Sequence, residues 1–139
     1  KRRSYRIQKI AMRDFADGEG LDGTTVRAMP RYELNGVDQD GWSGARSRLL
    51  LPASTKAATA ELQLEFPSWA SVPSAKFVFT LNGRVVYSED LARGVYKTVS
   101  VPLEPGRPNE LVMESSQTFP LPAPDQRTRS FRIVKVDLK

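Results

Sequence analysis

Apolar runs of strand length recur along this chain, and each is bounded by Pro, Gly, Asn or Ser. Helical periodicity is nowhere sustained, so the pattern predicts short strands joined by polar turns. The expected strands are Tyr5–Met12, Thr24–Tyr32, Ala45–Leu51, Ala58–Phe66, Ala75–Leu81, Arg84–Ser88, Tyr96–Val101, Glu110–Glu114 and Ser130–Leu138. About eight or nine short strands at this spacing indicate an all-β fold, an antiparallel β-sandwich of the jelly-roll type.

The clearest local signal is the dipeptide Asn82-Gly83, which lies between two β-rich arms. Both residue types adopt positive φ angles readily, so the pair predicts a two-residue hairpin turn. In the last strand, Phe131, Ile133 and Leu138 are out of strict alternation, which predicts a β-bulge or burial on both faces. The Pro-rich stretch 119–124 predicts an extended loop that leads into this strand.

The length of 139 residues suits one domain with its own core, so we expect a single sandwich over residues 1–139. The chain starts without Met, and we expect a processed product or a piece of a longer protein. In that case Lys1–Ser4 is a basic linker, although such a start would also suit the flank of a preceding membrane helix. No stretch of the sequence is apolar enough to predict a membrane span.

Two residue types are missing, and their absence excludes several kinds of chemistry. Without Cys the chain cannot form disulfides, thiolate nucleophiles or Cys-ligated zinc sites. Without His it cannot form Ser-His-Asp or Cys-His triads or His-ligated metal sites. Glycine-rich nucleotide motifs and nucleophile elbows are not present either. We therefore predict no catalytic activity, no catalytic metal and no cofactor.

The net charge of +5 would suit an acidic partner, but charges of both signs mix along most of the chain. A recognition helix, a zinc module or basic residues interleaved with aromatics would be expected of a nucleic-acid-binding protein, and none is evident. We therefore expect no nucleic-acid partner. The basic residues concentrate near both ends, at Lys1, Arg2, Arg3, Arg6, Lys9, Arg127, Arg129, Arg132 and Lys135.

Two acidic, Gly-rich segments, 17–23 and 35–41, contain the closely spaced carboxylates that a calcium site requires. Neither has EF-hand spacing, and Asp-Gly is also a common turn former, so a turn is favoured over a calcium site. The sixteen acidic residues could also include the facing carboxylate pair of a glycoside hydrolase, but the sequence cannot pair them.

The two tryptophans lie in different contexts. Trp42 precedes a predicted strand, where a large ring most often plugs the core. Trp69 lies in a loop flanked by Pro and Ser, where its ring could stack on a sugar or on a partner. Covering the end of the sandwich is the favoured interpretation of Trp69. If either ring binds a glycan, we expect it to be Trp69.

Several short motifs follow one another between Thr24 and Leu138. They are Asp40-Gly41-Trp42, Glu65-Phe66-Pro67, a Phe-x-Phe-x-x-Asn-Gly hairpin, Gly94 before a strand ending Val101-Pro102-Leu103, Phe119-Pro120 and Asp125-x-Arg127. Their order resembles that of bacterial β-sandwich modules attached to glycosyltransferases and other cell-surface polysaccharide proteins.

The resemblance implies a non-catalytic jelly-roll module of bacterial glycan-building or envelope machinery. It carries candidate binding residues over onto Asp40, Trp42, Asp125 and Arg127. For Asp125 and Arg127, a structural role is favoured over a ligand-binding role. A carboxylate and a guanidinium two residues apart in a strand share one face and could fasten a loop to the sheet.

The first functional hypothesis is therefore an accessory module that binds a glycan weakly or docks a neighbouring catalytic domain of the same polypeptide. A purely structural scaffold is the alternative, and a glycoside hydrolase is the third candidate. The compartment stays open between the bacterial cytoplasm and the envelope. The candidate binding residues are Trp69, Trp42, Asp40, Asp125 and Arg127.

Overall fold

The computed structural model describes residues 32–139. Several of the predicted features lie outside the described residues and stay predictions. They are the strand Tyr5–Met12, all but the last residue of Thr24–Tyr32, the acidic segment 17–23 and the linker Lys1–Ser4.

Ten β-strands and no helix form the regular structure of residues 32–139. All of their pairings are antiparallel. A helix of the length and apolarity needed to cross a membrane is accordingly not found in this part of the chain. The strands are β1 (Glu33–Val37), β2 (Trp42–Leu51), β3 (Thr59–Phe66), β4 (Ser74–Leu81), β5 (Arg84–Ala92), β6 (Val95–Pro102), β7 (Asn109–Ser115), β8 (Phe119–Pro120), β9 (Thr128–Arg129) and β10 (Phe131–Leu138).

The longer strands follow one hydrogen-bonded path, β5-β4-β7-β2-β10-β3-β6, which changes layer at β2. The second half of β2 pairs with β7 on one side and with β1 on the other. Its first residues, Trp42 and Ser43, pair instead with the start of β10. One layer is therefore β1-β2-β7-β4-β5, and the other is β10-β3-β6.

Alternation along the strands places one face of each layer in a shared core. In β3 the side chains of Ala60, Leu62, Leu64 and Phe66 are buried, and those between them are only half-buried. This is the pattern expected of a strand that has one face towards the interior. The same alternation appears in β4, where Phe77 and its alternate neighbours are buried.

Aromatic contacts cross the interior from one layer to the other. The ring of Phe77 in β4 lies 5.4 Å from Phe131 in β10 and 5.6 Å from Phe66 in β3, measured between centroids. Because β4 pairs only with β5 and β7, these contacts join the two layers. The predicted fold, an antiparallel β-sandwich of the jelly-roll type, is confirmed.

Two local predictions are also confirmed. Asn82 and Gly83, at φ 50° and 87°, form the two-residue turn between β4 and β5. The pairing of β10 with β3 shifts register between Ile133 and Lys135, which is a bulge at Val134.

Other predictions differ from the structure at particular places. Residues 35–37, which the sequence suggests as turn, belong to β1, an edge strand whose register shifts between Asn35 and Val37. The Pro-rich stretch begins with β8, which pairs Phe119 and Pro120 with β9, so it is not wholly a loop. Strand β2 starts three residues earlier than expected, at Trp42, and β5 continues to Ala92.

Candidate functional site

Three aromatic rings meet at one end of the sandwich, and they include both tryptophans of the chain. The ring centroid of Trp69 lies 5.7 Å from that of Trp42 and 5.6 Å from that of Phe119. Phe119 is fully buried and stacks at 6.0 Å on Phe66 of the core. Trp69 remains 45% exposed. The ring is thus supported from beneath and open to solvent.

The loop after β3 explains why Trp69 projects outward. Residues on both sides of it are anchored, because Pro67 and Ala70 are buried. The amide of Ala70 donates to the carbonyl of Pro67 at 3.2 Å, which closes a tight turn around Ser68 and Trp69. Because Pro67 and Ala70 are buried at the two ends of the turn, the indole between them is left on the surface of the domain.

A network of charged side chains is centred on Arg127 and adjoins the ring cluster through the backbone, because Asp40 lies two residues before Trp42 and Arg129 pairs with Phe119. The guanidinium donates to both oxygens of Asp125, with distances from 2.6 to 3.1 Å. It also donates to Asp38 at 2.9 Å and to both oxygens of Asp40 at 3.2 and 2.9 Å. Arg129 adds a second cation and donates to Asp38 at 2.6 Å. Five charged groups are therefore paired within one cluster.

Arg127 also sets the protonation of its neighbours. Its side-chain and backbone hydrogen bonds lower the pKa of Asp125 from the usual 3.8 to about 2. Burial raises the pKa of Asp40, but the hydrogen bonds and charge of Arg127 outweigh that effect and hold the pKa below its usual value. Both carboxylates are therefore ionised throughout the neutral range.

The turn between β1 and β2 links the charged network to the rings. The amide of Asp38 donates to the carbonyl of Trp42 at 2.8 Å, and the amide of Gly41 donates to the carbonyl of Asp38 at 2.9 Å. Asp38 and Asp40 are therefore held on the same turn that delivers Trp42 to the ring cluster. Arg132 of β10 fixes this turn from below by donating to the backbone carbonyl of Asp40 at 3.1 Å.

The structure brings together all five residues that the sequence singled out as binding candidates: Trp69, Trp42, Asp40, Asp125 and Arg127. Trp42 packs against the core but is only half-buried, so it is less of an interior plug than expected. Asp125 and Arg127 lie in the loop before β9 and not in a strand. Their pairing within one loop nevertheless fastens that loop to the turn before β2.

Sequence reasoning missed three members of this site: Asp38, Arg129 and Phe119. Asp38 was noticed only as one carboxylate of a candidate calcium loop. In the structure its carboxylate, like that of Asp40, accepts hydrogen bonds from arginine. Among residues 32–139 no cluster of His, Cys, Asp or Glu is arranged to hold a metal ion. The spacing Arg127-x-Arg129 opposite Asp38-x-Asp40 is a signal that could have suggested the network.

An open groove of about 270 Å³ lies between β1 and β10, next to the charged network. Apolar side chains of both strands form much of its lining, and Asp38, Gln39 and Asp40 form its polar end. Val134, the residue at the bulge, lines the groove and is 42% exposed. The groove shares Asp38 and Asp40 with the site, but neither tryptophan lines it.

No protein-family model matches this chain. No curated protein matches it in sequence. Similarity is found among solved structures. A family two carbohydrate esterase from Clostridium thermocellum, in complex with cellohexaose, superposes with a TM-score of 0.46 at 12% identity, over 76% of this chain and 29% of the esterase chain. An active-site mutant of a family two carbohydrate esterase from the same organism gives a TM-score of 0.48 at 14% identity, over 80% and 32% of the two chains.

A family 35 carbohydrate-binding module from an environmental isolate superposes with a TM-score of 0.38 at 18% identity. This match covers 73% of the present chain and 75% of the module. The present chain spans only about a third of the length of the esterase chains. These similarities identify neither a ligand nor an activity.

Proposed function

We propose that this domain is a non-catalytic glycan-binding module that holds a sugar ring against Trp69. The observation that carries the proposal is that an indole 45% exposed to solvent is fixed in place by Trp42 and Phe119. Aromatic faces stack on apolar ligand surfaces, and a ring that is already ordered loses little conformational entropy on binding.

The neighbouring carboxylates provide acceptors for sugar hydroxyls. Asp40 has a side chain that is 50% exposed, and Arg127 holds it in one orientation. An ionised carboxylate has about four acceptor positions, so bonding to Arg127 leaves capacity for a ligand. A fixed ring beside fixed acceptors is the kind of arrangement that gives a site orientation as well as contact area.

The protonation of these carboxylates supports a binding role over glycoside hydrolysis. A hydrolase needs one carboxylic acid whose pKa is raised, so that it can donate a proton to the leaving group. At this site the pKa values of Asp40 and Asp125 are both lowered, and both groups are paired with Arg127. We expect the domain to release no reducing ends from any polysaccharide that it retains.

The wider context is also part of the proposal. The motif resemblance favours a module of bacterial glycan synthesis or envelope polysaccharide that acts beside a catalytic domain of the same polypeptide. In this role the domain itself binds the glycan weakly, and the neighbouring domain catalyses the reaction. The full-length reading frame is the direct check, since it would contain a glycan-active domain next to this one.

A purely structural scaffold is the second candidate, and the groove between β1 and β10 favours it. Its lining includes the half-exposed Val134 and other apolar side chains that a neighbouring domain could cover. A scaffold of this kind would retain no polysaccharide, and loss of Trp69 would have no consequence for binding.

Both tryptophans of the chain lie at the proposed site, so intrinsic fluorescence reports on it without labelling. The experiment is a fluorescence titration with soluble polysaccharides of both neutral and acidic type, followed by native electrophoresis through gels that contain each polymer. We expect a saturable change in emission and retarded migration with at least one polymer.

The matched variants are Trp69→Ala, Trp69→Tyr and Val85→Ala. Val85 is an exposed apolar residue next to the hairpin, at the opposite end of β4 from the Trp69 loop. Trp69→Ala should abolish retardation, Trp69→Tyr should keep part of it, and Val85→Ala should not change it. Retardation of Trp69→Ala equal to that of the parent would refute the glycan-binding proposal.

A further inference from the structure

The turn between β5 and β6 supports the loop that carries Trp69. The amide of Gly94 donates to the carbonyl of Phe66 at 2.6 Å, and the amide of Arg93 donates to the carbonyl of Pro73 at 3.0 Å. These two bonds hold the loop at both of its ends. Arg93 also reaches into the loop, because its guanidinium donates to the carbonyl of Ala70 at 3.1 Å. That carbonyl belongs to the residue directly after Trp69.

Arg93 differs from the other arginines at this end of the sandwich. Arg127, Arg129 and Arg132 each pair with a carboxylate. Within residues 32–139 the guanidinium of Arg93 has no acidic partner, and the Ala70 carbonyl is its one hydrogen-bond acceptor. A guanidinium has five N–H donors, so most of those of Arg93 have no acceptor among residues 32–139. The carbonyl orients the cation without neutralising it.

The described part of the chain has almost no net charge, so its overall charge would not attract an acidic ligand. Residues 32–139 contain thirteen Lys and Arg against twelve Asp and Glu, so most of the basic excess is in the first 31 residues. Within residues 32–139, a preference for an acidic ligand at this site would therefore come from a local charge. Arg93 places such a charge against the loop that carries Trp69.

We propose that Arg93 is a ligand-contacting and specificity-determining residue of the Trp69 site, and that it binds an acidic group of the glycan. This inference rests on the proposed glycan-binding function. The sugar ring stacks on Trp69 while a carboxylate or phosphate substituent accepts hydrogen bonds from the free edge of the guanidinium. A planar guanidinium binds either anion in the same bidentate way.

The paired carboxylates nearby do not oppose this arrangement. Asp38, Asp40 and Asp125 share the charges of Arg127 and Arg129, so the network leaves about one uncompensated negative charge. A bidentate contact with Arg93 is charge-assisted and about twice as strong as a neutral hydrogen bond, and salt screens the repulsion from exposed charges.

The test compares polymer pairs that differ mainly in charge. Carboxymethyl cellulose is matched with hydroxyethyl cellulose, and phosphomannan with neutral mannan. We expect affinity for at least one acidic polymer to exceed that for its neutral partner by roughly tenfold, the effect of one charge-assisted contact. The pair that shows the difference tells whether a carboxylate or a phosphate is preferred. The preference should weaken as salt rises, because exposed charges are screened.

Arg93→Gln should reduce binding of the acidic polymer to the level of the neutral one and leave neutral binding within about twofold, since it removes only the charged contact. Arg93→Lys should retain part of the preference, and it serves in place of Arg93→Gln if that variant melts early. Arg46→Gln is the control, because Arg46 is an exposed arginine of β2 and its loss changes the net charge equally.

The outcomes separate the two proposals. An unchanged preference in Arg93→Gln, or an equal loss in Arg46→Gln, overturns the role of Arg93. Equal binding of the acidic and neutral polymers by the parent overturns it as well. In each of these cases Trp69→Ala still abolishes binding if the glycan-binding function is correct. Binding that survives Trp69→Ala overturns the function itself.

Discussion

Arg127 is the residue on which the arrangement of loops at the ring-bearing end depends. It joins the loop before β9, through Asp125, to the turn before β2, through Asp38 and Asp40. A single surface ion pair contributes little to the free energy of unfolding. Three carboxylates share the half-buried guanidinium of Arg127, so removing the cation would leave like charges close together. The same contacts that hold the loops also orient the acceptors of the site.

Arg127→Ala should lower the free energy of unfolding by about 1–2 kcal/mol, which is less than for a fully buried unpaired charge because the carboxylates remain partly exposed. The measurement is urea unfolding at neutral pH. Arg48→Ala is the control, since it breaks one exposed pair with Glu110 at 2.8 Å. It should cost less than about 0.5 kcal/mol. Equal losses in the two variants would contradict the network.

The network also predicts a pH dependence. The pKa of Asp125 is lowered by Arg127 to about 2 and that of Asp40 is lowered too. A carboxyl group whose pKa is lower in the folded protein stabilises the fold above its ordinary pKa of 3.8, and this contribution is lost as pH falls through the lowered value.

The difference in melting temperature between the parent and Arg127→Ala should therefore be constant at neutral pH and shrink as pH falls from 4 towards 2. The measurement is a series of thermal melts across this range. A difference that stays the same down to pH 2 would show that the carboxylates do not act through Arg127.

At the scale of single elements, the turns are the parts that hold the strands to their register. In the β4–β5 hairpin, the side chain of Asn82 accepts from the amide of Glu110 at 2.8 Å and donates to Asn109 at 3.1 Å. The hairpin is thereby tied to β7 as well as closed on itself. In the β1–β2 turn, the carbonyl of Gly41 accepts from the amide of Ile133 at 2.7 Å, which ties the turn to β10.

Two glycines of these turns should respond differently to substitution. Gly83 has φ +87° and open space around the position of a Cβ, so Gly83→Ala should cost only backbone strain, about 1 kcal/mol. Gly41 has φ +94°, and a Cβ there would collide with the carbonyl oxygen of Ile133. Gly41→Ala should therefore cost more, about 2–4 kcal/mol, because the backbone of β10 has to move.

Urea unfolding of both variants measures the difference. Gly41→Ala should also weaken glycan retention, since the same turn carries Asp40 and Trp42, whereas Gly83→Ala should leave retention unchanged. Equal stability losses would show that β10 yields to the added methyl group without strain.

At the scale of the whole molecule, the two layers share one core and should unfold together. The contacts of Phe77 with Phe66 and Phe131 leave neither layer with an interior of its own. Small domains of this kind unfold cooperatively. The far-ultraviolet circular dichroism spectrum should be that of a β protein with little helix.

The tryptophans provide a second and independent probe of this cooperativity. They report on one end of the sandwich, whereas circular dichroism averages over all strands. We expect the two unfolding transitions to have the same midpoint in urea. An earlier fluorescence transition would show that the ring-bearing end unfolds separately from the strands.

The sequence by itself determined the strands β2 to β7 and β10, the Asn82-Gly83 turn and the bulge in β10, because each depends on neighbours within a few residues. The alternation in β3 and β4 and the positive φ of the hairpin are local preferences. The missing His and Cys likewise limited the available chemistry without reference to the fold. Strand β1 escaped prediction because its bulge interrupts the alternation on which such a prediction depends.

Only the tertiary structure decided which of the candidate residues meet. Asp38 and Arg127 are 89 positions apart and form one ion pair. Trp42 begins strand β2 and Trp69 lies in the loop after β3, and the two rings come together on Phe119. Arg93, whose guanidinium contacts the backbone of the Trp69 loop, comes from a third turn. These long-range contacts depend on how β2 passes from one layer to the other, and no local pattern of residues predicts that course.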